Sequence, residues 1–523
     1  MFLKSHLRLG VLIMILIKDL NFSYKKDKEI LKNINLNIND NEVILISGIS
    51  GSGKSTLFNC FNGLIPHFYN GILSGDIIIN LNNTKDLALH EISEHVGSVF
   101  QDPRSQFFTT DTTDEISFVC QNMAMDKDEI FKKVDDVFSF FSIEYLKDKN
   151  IFKLSSGEKQ KIAIASAAVI SPSIYIFDEP SANLDFDSIN KLSELFRLLK
   201  KEGHTVIIIE HRIYYLKDLF DKMIHMDGGE IKKVYSISDM SKMSNFDFNH
   251  LGLRSFDMDK IDFKNNETYI NVNHCLELKN ISFSYLNANK IKNRLSFHKK
   301  SNQRKILNNI NLKVFGGEVL GLIGENGAGK TTLAKIISGL LKENSGEVLI
   351  NNNVKSDKDR LKSSYFVMQD SDYQLFENSV KKELELANLD VNNLNEKIEI
   401  LAKKLQLYDC LENHPTTLSR GQKQRLTIAC SILSKKNVII FDEPTSGLDY
   451  NNMKYVCDLI LDLSKQGKII FIISHDFEFL LEVSTRILYL KESRILKDFK
   501  LNNENIDLFK KLLLGGKHDS ENS

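Results

Sequence analysis

Two short segments constrain this chain more than anything else in it: Gly48-Ile49-Ser50-Gly51-Ser52-Gly53-Lys54-Ser55-Thr56 and Gly324-Glu325-Asn326-Gly327-Ala328-Gly329-Lys330-Thr331-Thr332. Each follows an apolar run, Val43-Ile44-Leu45-Ile46-Ser47 in the first case and Val319-Leu320-Gly321-Leu322-Ile323 in the second. Strand, glycine loop and helix in that order are the context of a phosphate-binding loop. The glycines let successive backbone N–H groups turn inward around phosphate oxygens, and the helix N-terminus adds its positive dipole. On this reading Gly48, Ser50, Gly51, Ser52, Gly53 and Thr56 line one cradle. Gly324, Asn326, Gly327, Ala328, Gly329 and Thr332 line the other. Lys54 and Lys330 reach the β- and γ-phosphates, and Ser55 and Thr331 offer hydroxyls to Mg²⁺.

The rest of the chemistry is also written twice. Ser155-Ser156-Gly157-Glu158, Asp178-Glu179 and His211 recur 264 positions later as Ser419-Arg420-Gly421-Gln422, Asp442-Glu443 and His475. A duplicated fold can keep its core and lose its reactive groups, but here both copies retain them. Ile174-Tyr175-Ile176-Phe177 and Val438-Ile439-Ile440-Phe441 are buried-strand patterns that end in the paired carboxylates. Such strands deliver side chains to the C-terminal edge of an open α/β sheet, where ligands bind. Asp178 and Asp442 then suit a role at Mg²⁺, while Glu179 and Glu443 are placed to orient and polarise an attacking water. His211 and His475 each follow a β-rich run and are assigned to sensing the γ-phosphate. The expected fold is α/β, with two P-loop nucleotide-hydrolase domains and therefore two ATP sites.

A chain of 523 residues suits two large domains better than one core. The expected boundaries are residues 14–235 for the first domain, 236–274 for a linker rich in Asn, Asp, Ser and Lys with one short helix, and 275–514 for the second. Residues 1–13 read as a leader, with Met14 a candidate start, and 515–523 as a polar tail. The apolar run at 9–17 is far shorter than the roughly 20 residues a membrane span needs, so any membrane spans must come from other chains. A formal net charge of -1 argues against a global field for nucleic acid. Six scattered cysteines suit free thiols rather than a disulfide framework or zinc site. Between its first aromatic and its phosphate loop the second domain is 15 residues longer than the first, an insertion matching the basic stretch 290–305. Beyond the loop the first domain is longer by eight, near Gly63-Leu64-Ile65-Pro66-His67-Phe68-Tyr69-Asn70-Gly71.

Leu154-Ser155-Ser156-Gly157-Glu158-Lys159-Gln160 and Leu418-Ser419-Arg420-Gly421-Gln422-Lys423-Gln424 resemble the signature motif of ATP-binding cassette domains, and the resemblance covers nearly the whole chain. It implies, for each domain, a mostly parallel core sheet, an antiparallel β subdomain and a helical subdomain. It further implies that Tyr24 and Tyr285 stack on adenine. The Q-loop glutamines Gln101 and Gln369 join Ser55, Asp178, Thr331 and Asp442 around the metal. In that family each ATP lies between one domain's phosphate loop and the other's signature helix. Lys54 would then share a nucleotide with Ser419 and Gly421, and Lys330 with Ser155 and Gly157, within an internal pseudo-dimer. Both signatures depart from LSGGQ, through Ser156, Glu158 and Arg420, which implies altered rate more than lost activity.

A narrower resemblance is to energy-coupling factor transporter ATPases, carried by Val99-Phe100-Gln101-Asp102-Pro103-Arg104-Ser105-Gln106-Phe107-Phe108, by Met368-Gln369-Asp370-Ser371-Asp372-Tyr373-Gln374-Leu375-Phe376, by Glu210-His211-Arg212 and by His414-Pro415-Thr416-Thr417-Leu418. It implies a peripheral protein at the cytoplasmic face of the cell membrane. Its partners would be an integral T component and a substrate-binding membrane subunit that import a vitamin or a transition-metal ion. Phe107, Phe108, Leu375 and Phe376 would help form the groove for the T component's coupling helices. Two rival readings stand beside it, a soluble ribosome-associated cassette protein and the tandem ATPase of a sugar importer. The short mixed linker weighs against the first, and the presence of both Glu179 and Glu443 against the second.

Overall fold

The computed structural model describes residues 13–26, 28–182, 184–261, 263, 270–285, 305–387 and 393–514. Most of the leader, the tail and nearly all of the basic insertion at 290–305 lie outside the described residues. The chain folds as two units, one running up to Ile261 and including Gly447–Asn451, the other formed by the remainder.

The strands of unit 1 are β1 (Ile13–Lys25), β2 (Lys28–Asn39), β3 (Val43–Gly48), β4 (Ile72–Ile79), β5 (Asn82–Asn83), β6 (Val96–Val99), β7 (Ile174–Asp178), β8 (Thr205–Ile209), β9 (Lys222–Asp227) and β10 (Glu230–Ser236). They form a four-stranded sheet in the order β2-β1-β4-β5 and a six-stranded sheet in the order β10-β9-β3-β8-β7-β6. The first is antiparallel. The second is parallel except for its β9–β10 edge. Hydrophobic patterning explains the difference. β3 and β8 are buried at every position, because neighbours flank them on both sides and layers cover both faces. β2 alternates buried and exposed residues over its second half, so only one of its faces meets the core.

Helices Thr112–Asn122, Lys127–Phe140 and Ser156–Ala168 pack around a separate small core that includes Ile116, Val134, Phe138, Leu146 and Ile162. This is the helical subdomain, and it carries the signature segment at the N-terminus of its last helix.

Unit 2 repeats the plan with β11 (Asn271–Phe283), β12 (Leu307–Gly316), β13 (Val319–Ile323), β14 (Ser345–Ile350), β15 (Asn353–Val354), β16 (Ser364–Val367), β17 (Val438–Asp442), β18 (Ile469–Ile473), β19 (Arg486–Lys491) and β20 (Arg494–Lys500). Its sheets run β12-β11-β14-β15 and β16-β17-β18-β13-β19-β20, the same orders as in unit 1. Helices Val380–Leu386, Leu394–Lys404 and Arg420–Leu433 supply its helical part. All six cysteines are free, and burial pushes the Cys60 thiol up to about 12, as expected of packing residues.

Two short helices, Ile237–Lys242 and Asn245–His250, stand where the sequence suggested a linker with one. Ser236 and Ser244 cap them, each in a reciprocal capping box with Asp239 or Asp247. The polar residues that read as loop are therefore helix starts. Met240, Phe248, Leu253 and Phe256 join the core of unit 1.

Candidate active sites

In each unit the phosphate loop leaves the sheet at the end of a central strand. Gly48 and Gly324 make that exit possible: a Cβ there would lie 2.0 Å from the Met226 carbonyl oxygen and 2.1 Å from that of Leu490. Three residues further on, Gly51 and Gly327 have φ of +81 and no atom within 4 Å of a Cβ position, so the loop there is open on one side. Lys54 and Lys330 begin the following helices and are buried. Lys54 Nζ donates to the carbonyls of Gly48 and Ile49, both at 2.8 Å. Lys330 Nζ repeats this with Gly324 at 2.5 Å and Glu325 at 3.0 Å. Burial lowers the Lys54 pKa, with the Glu179 charge acting in the opposite direction.

Asp178 and Asp442 end β7 and β17. Thr331 Oγ1 donates to Asp442 Oδ2 at 3.2 Å, and the Ser55 hydroxyl beside Asp178 acts to lower that carboxyl's pKa. Burial raises the Asp178 pKa strongly and the neighbouring Glu179 raises it further. Burial likewise pushes Asp442 up to about 6, against the Thr331 hydrogen bond and the Lys330 charge. Asp178 Oδ1 is buried without a hydrogen-bond partner. A buried carboxylate in that state is short of a cation, and a hydroxyl beside a carboxylate is a donor set that suits Mg²⁺. The residues present therefore fit Mg²⁺ with a nucleotide.

The glutamates sit in an unusual backbone. Glu179 has φ +45 and Glu443 φ +51, a left-handed conformation that costs a non-glycine residue about 1–2 kcal/mol. Their N–H groups hold them there by donating to the ends of the adjacent strands, Glu179 to the Ile209 carbonyl and Glu443 to that of Ile473, both at 2.8 Å. The same strain in both units at the same site points to use rather than accident. His211 Nε2 lies 3.4 Å from Glu179 Oε1, and His475 Nε2 lies 3.9 Å from Glu443 Oε1. The Gln101 amide donates to Glu179 Oε2, whereas Gln369 stands exposed. Tyr24 is braced edge-on by Phe22 with ring centroids 4.8 Å apart, and Tyr285 by Phe283 at 5.0 Å. Both tyrosines remain substantially exposed.

Ser155 and Ser419 are the N-caps of the signature helices. Each accepts from the N–H three residues on, Glu158 or Gln422, whose side chain returns to the cap N–H at 2.9 Å. Glu158 thus fills the structural place of the usual glutamine. Gly157 packs where a Cβ would stand 2.7 Å from Ser188 Oγ, while Gly421 lies in the first turn of its helix.

Sequence reasoning singled out the segments around Phe108 and Phe376 but missed the buried glutamates, Glu115 and Glu383, that hold them. Gln106 and Gln374 bond back to their own edge strands, through the carbonyls of Ser98 at 3.2 Å and Phe366 at 2.6 Å. The buried carboxylate of Glu115 accepts from the N–H groups of Phe108 and Thr109, at 3.0 and 2.7 Å. Glu383 accepts from Phe376 and Glu377 at 2.9 and 2.8 Å. Phe108 and Phe376 are left 75% and 76% exposed, while Phe107 and Leu375 are half-buried. Phe108 stacks on Phe118 at 5.0 Å and borders a cavity of about 280 Å³ in unit 1, with Leu64, Leu89 and Phe100 on its walls. Gln106, Glu115 and Phe108 each recur 268 positions on, the offset that separates the Q-loop glutamines. That shared register was the signal available.

A strand-loop-helix with a buried lysine, a hydroxyl-carboxylate pair and a strained glutamate, present twice, defines a tandem P-loop ATPase. The family model described as ABC transporter matches residues 31–182 and 307–446, and the chain belongs to this family. A protein of Treponema denticola named as an ABC transporter ATP-binding protein is 38% identical over 497 residues, covering 94% of this chain and 97% of that one. One of Clostridium perfringens is 33% identical, covering 92% and 89%. Among solved structures, an assembly of ribosome-bound archaeal Pelota and ABCE1 matches with a TM-score of 0.64 at 22% identity, covering 92% of this chain and 78% of that one. RNase-L Inhibitor matches with a TM-score of 0.60 at 21% identity, covering 94% and 92%. At that identity the likeness is one of fold.

Proposed function

We propose that this ATPase powers a membrane importer of the energy-coupling factor type, bound peripherally at the cytoplasmic face to an integral T component and a substrate-binding subunit. The observation that carries this reading is the pair of outward aromatics, Phe108 and Phe376, each held at its backbone N–H by a buried glutamate and each seven residues after a Q-loop glutamine. An exposed phenylalanine anchored on the segment that follows the Q-loop glutamine suits a partner helix that must feel ATP turnover. No helix among the described residues is long and apolar enough to cross a membrane, so the reading assigns the membrane path to other chains.

Within each unit the chemistry follows from positions. The cradle and lysine bind the triphosphate, and Tyr24 or Tyr285 stacks on the base. Glu179 or Glu443 orients the water for in-line attack, and His211 or His475 contacts the γ-phosphate. Ser55 and Asp178, or Thr331 and Asp442, with Gln101 or Gln369 nearby, would hold Mg²⁺, which would supply positive charge against the phosphate oxygens. Pairing of Lys54 with Ser419 and Gly421, and of Lys330 with Ser155 and Gly157, belongs to this reading and rests on the signature resemblance alone. Glu179→Gln combined with Glu443→Gln is expected to keep ATP binding and abolish turnover. Steady-state hydrolysis surviving in the purified double variant would overturn the glutamate assignment.

A further inference from the structure

The glutamate that precedes the histidine in unit 1 is only 2% exposed, and the steps above give it no task. Four donors converge on its carboxylate. Glu210 Oε1 accepts from the N–H groups of His211 at 2.8 Å and Arg212 at 3.2 Å. Glu210 Oε2 accepts from the Ser181 N–H at 3.2 Å and the Tyr215 hydroxyl at 2.9 Å. Burial first, and then the Glu210 charge, hold the Tyr215 phenol well above its ordinary pKa, so it stays a donor. Arg212 Nη2 adds a bond to the Ser181 carbonyl at 2.7 Å. The main chain of Glu210 is anchored as well: its N–H donates to the Ile46 carbonyl at 3.1 Å, and its carbonyl accepts from Ser47 Oγ at 2.8 Å. One residue thus ties three pieces of backbone together: the strand that feeds the phosphate loop, the turn bearing His211, and the loop running from Glu179 to Ser181.

Unit 2 is built otherwise at this point. Ser474 stands in the place of Glu210, and its hydroxyl donates directly to Glu443 Oε2 at 3.2 Å while accepting from the Asp476 N–H at 3.1 Å. Thr445 Oγ1 reaches Asp476 Oδ2 at 2.9 Å. Both turns are tied through a buried carboxylate, but in unit 1 Glu210 takes the backbone donors of the histidine turn itself, whereas in unit 2 Asp476 lies beyond the histidine. The histidine–glutamate separation is 3.4 Å in unit 1 against 3.9 Å in unit 2.

We propose that Glu210 is a positioning residue for hydrolysis in unit 1, fixing the His211 turn against the Glu179–Pro180–Ser181 loop. This rests on the assignment of Glu179 and His211 to the reaction. Buried charge-assisted hydrogen bonds of this kind set geometry more than they set affinity, so the effect belongs in kcat. The two units consequently hydrolyse ATP from differently held sites, although their recognised motifs match.

The test uses the full chain carrying Glu443→Gln, so that turnover depends on Glu179. Where that substitution alone silences the chain, the same variants are measured without it. Glu210→Ser, which installs the residue of unit 2, is expected to lower kcat about tenfold while KM for ATP stays within about twofold. Glu210→Gln keeps an acceptor for His211 and Arg212 and should recover part of the loss. If Glu210→Ser does not fold, Tyr215→Phe decides, because it removes one donor and leaves the packing; a fall in kcat of about threefold at unchanged KM is expected. Unchanged kcat in folded Glu210→Ser, or in Tyr215→Phe where Glu210→Ser does not fold, or losses confined to KM, would overturn the proposal. Hydrolysis by the Glu179→Gln, Glu443→Gln double variant would instead overturn the underlying assignment, so the two failures are distinguishable.

Discussion

Replacing Asp442 by Asn should stabilise the nucleotide-free protein. Asp442 is buried, and its pKa rises from the ordinary 3.8 to about 6 chiefly through desolvation. An acid whose folded pKa is raised binds its proton more tightly in the folded state. Below pH 3.8 it costs nothing; between 3.8 and about 6 the unfolded chain ionises first and stability is lost; above 6 the full cost stands. At 1.36 kcal/mol per pKa unit, that cost is about 3 kcal/mol at pH 8, falling to about half at pH 5. Asn keeps the shape and still accepts from Thr331, whose Oγ1 lies 3.2 Å from Asp442 Oδ2, so the hydrogen bond survives and the charge is removed. Thermal unfolding of the transition that includes unit 2 should rise by roughly 6–12 °C at pH 8, with a markedly smaller rise at pH 5. Added Mg²⁺ and ATP should stabilise the parent protein far more than the variant. A lower melting temperature for Asp442→Asn at pH 8, or an equal gain at both pH values, would refute the argument that this carboxylate is held at a cost for a cation.

Two further substitutions probe the local architecture. Ser419→Ala removes the N-cap of the second signature helix and should cost about 1 kcal/mol in denaturant unfolding, with a fall in ATPase rate. Gly324→Ala places a methyl group 2.1 Å from the Leu490 carbonyl oxygen; because both partners are backbone, the loop must shift, and calorimetry should find ATP binding lost at that site while the site of Lys54 still binds.

Much of this was legible in the chain. Strand-loop-helix segments and apolar runs ending in Asp-Glu report local structure, and the two units realise them with the same strand order. Repetition in register singled out Glu179, Glu443, His211 and His475 as site candidates, and the fold brings each glutamate within 4 Å of its histidine. What stayed hidden was long-range or conformational. The left-handed backbone at Glu179 and Glu443 has no composition signal, since the residue there is neither Gly nor Asn. The network on Glu210 joins positions 46, 181, 211, 212 and 215 through a fold the sequence does not display. The segment after Ser236 misled because Ser and Asp are equally at home in loops and in capping boxes. Glu158 read as a departure from a motif, yet its carboxylate makes the bond that Gln422 makes in the other unit.

The importer reading is tested most directly by purifying the tagged full chain from detergent-solubilised membranes of its own organism and identifying what accompanies it by mass spectrometry. The account predicts two integral membrane proteins at near-equal amounts, one of them a small substrate-binding subunit, both lost when Phe108 and Phe376 are replaced by Asp. Recovery of ribosomal proteins in place of integral membrane proteins would contradict it.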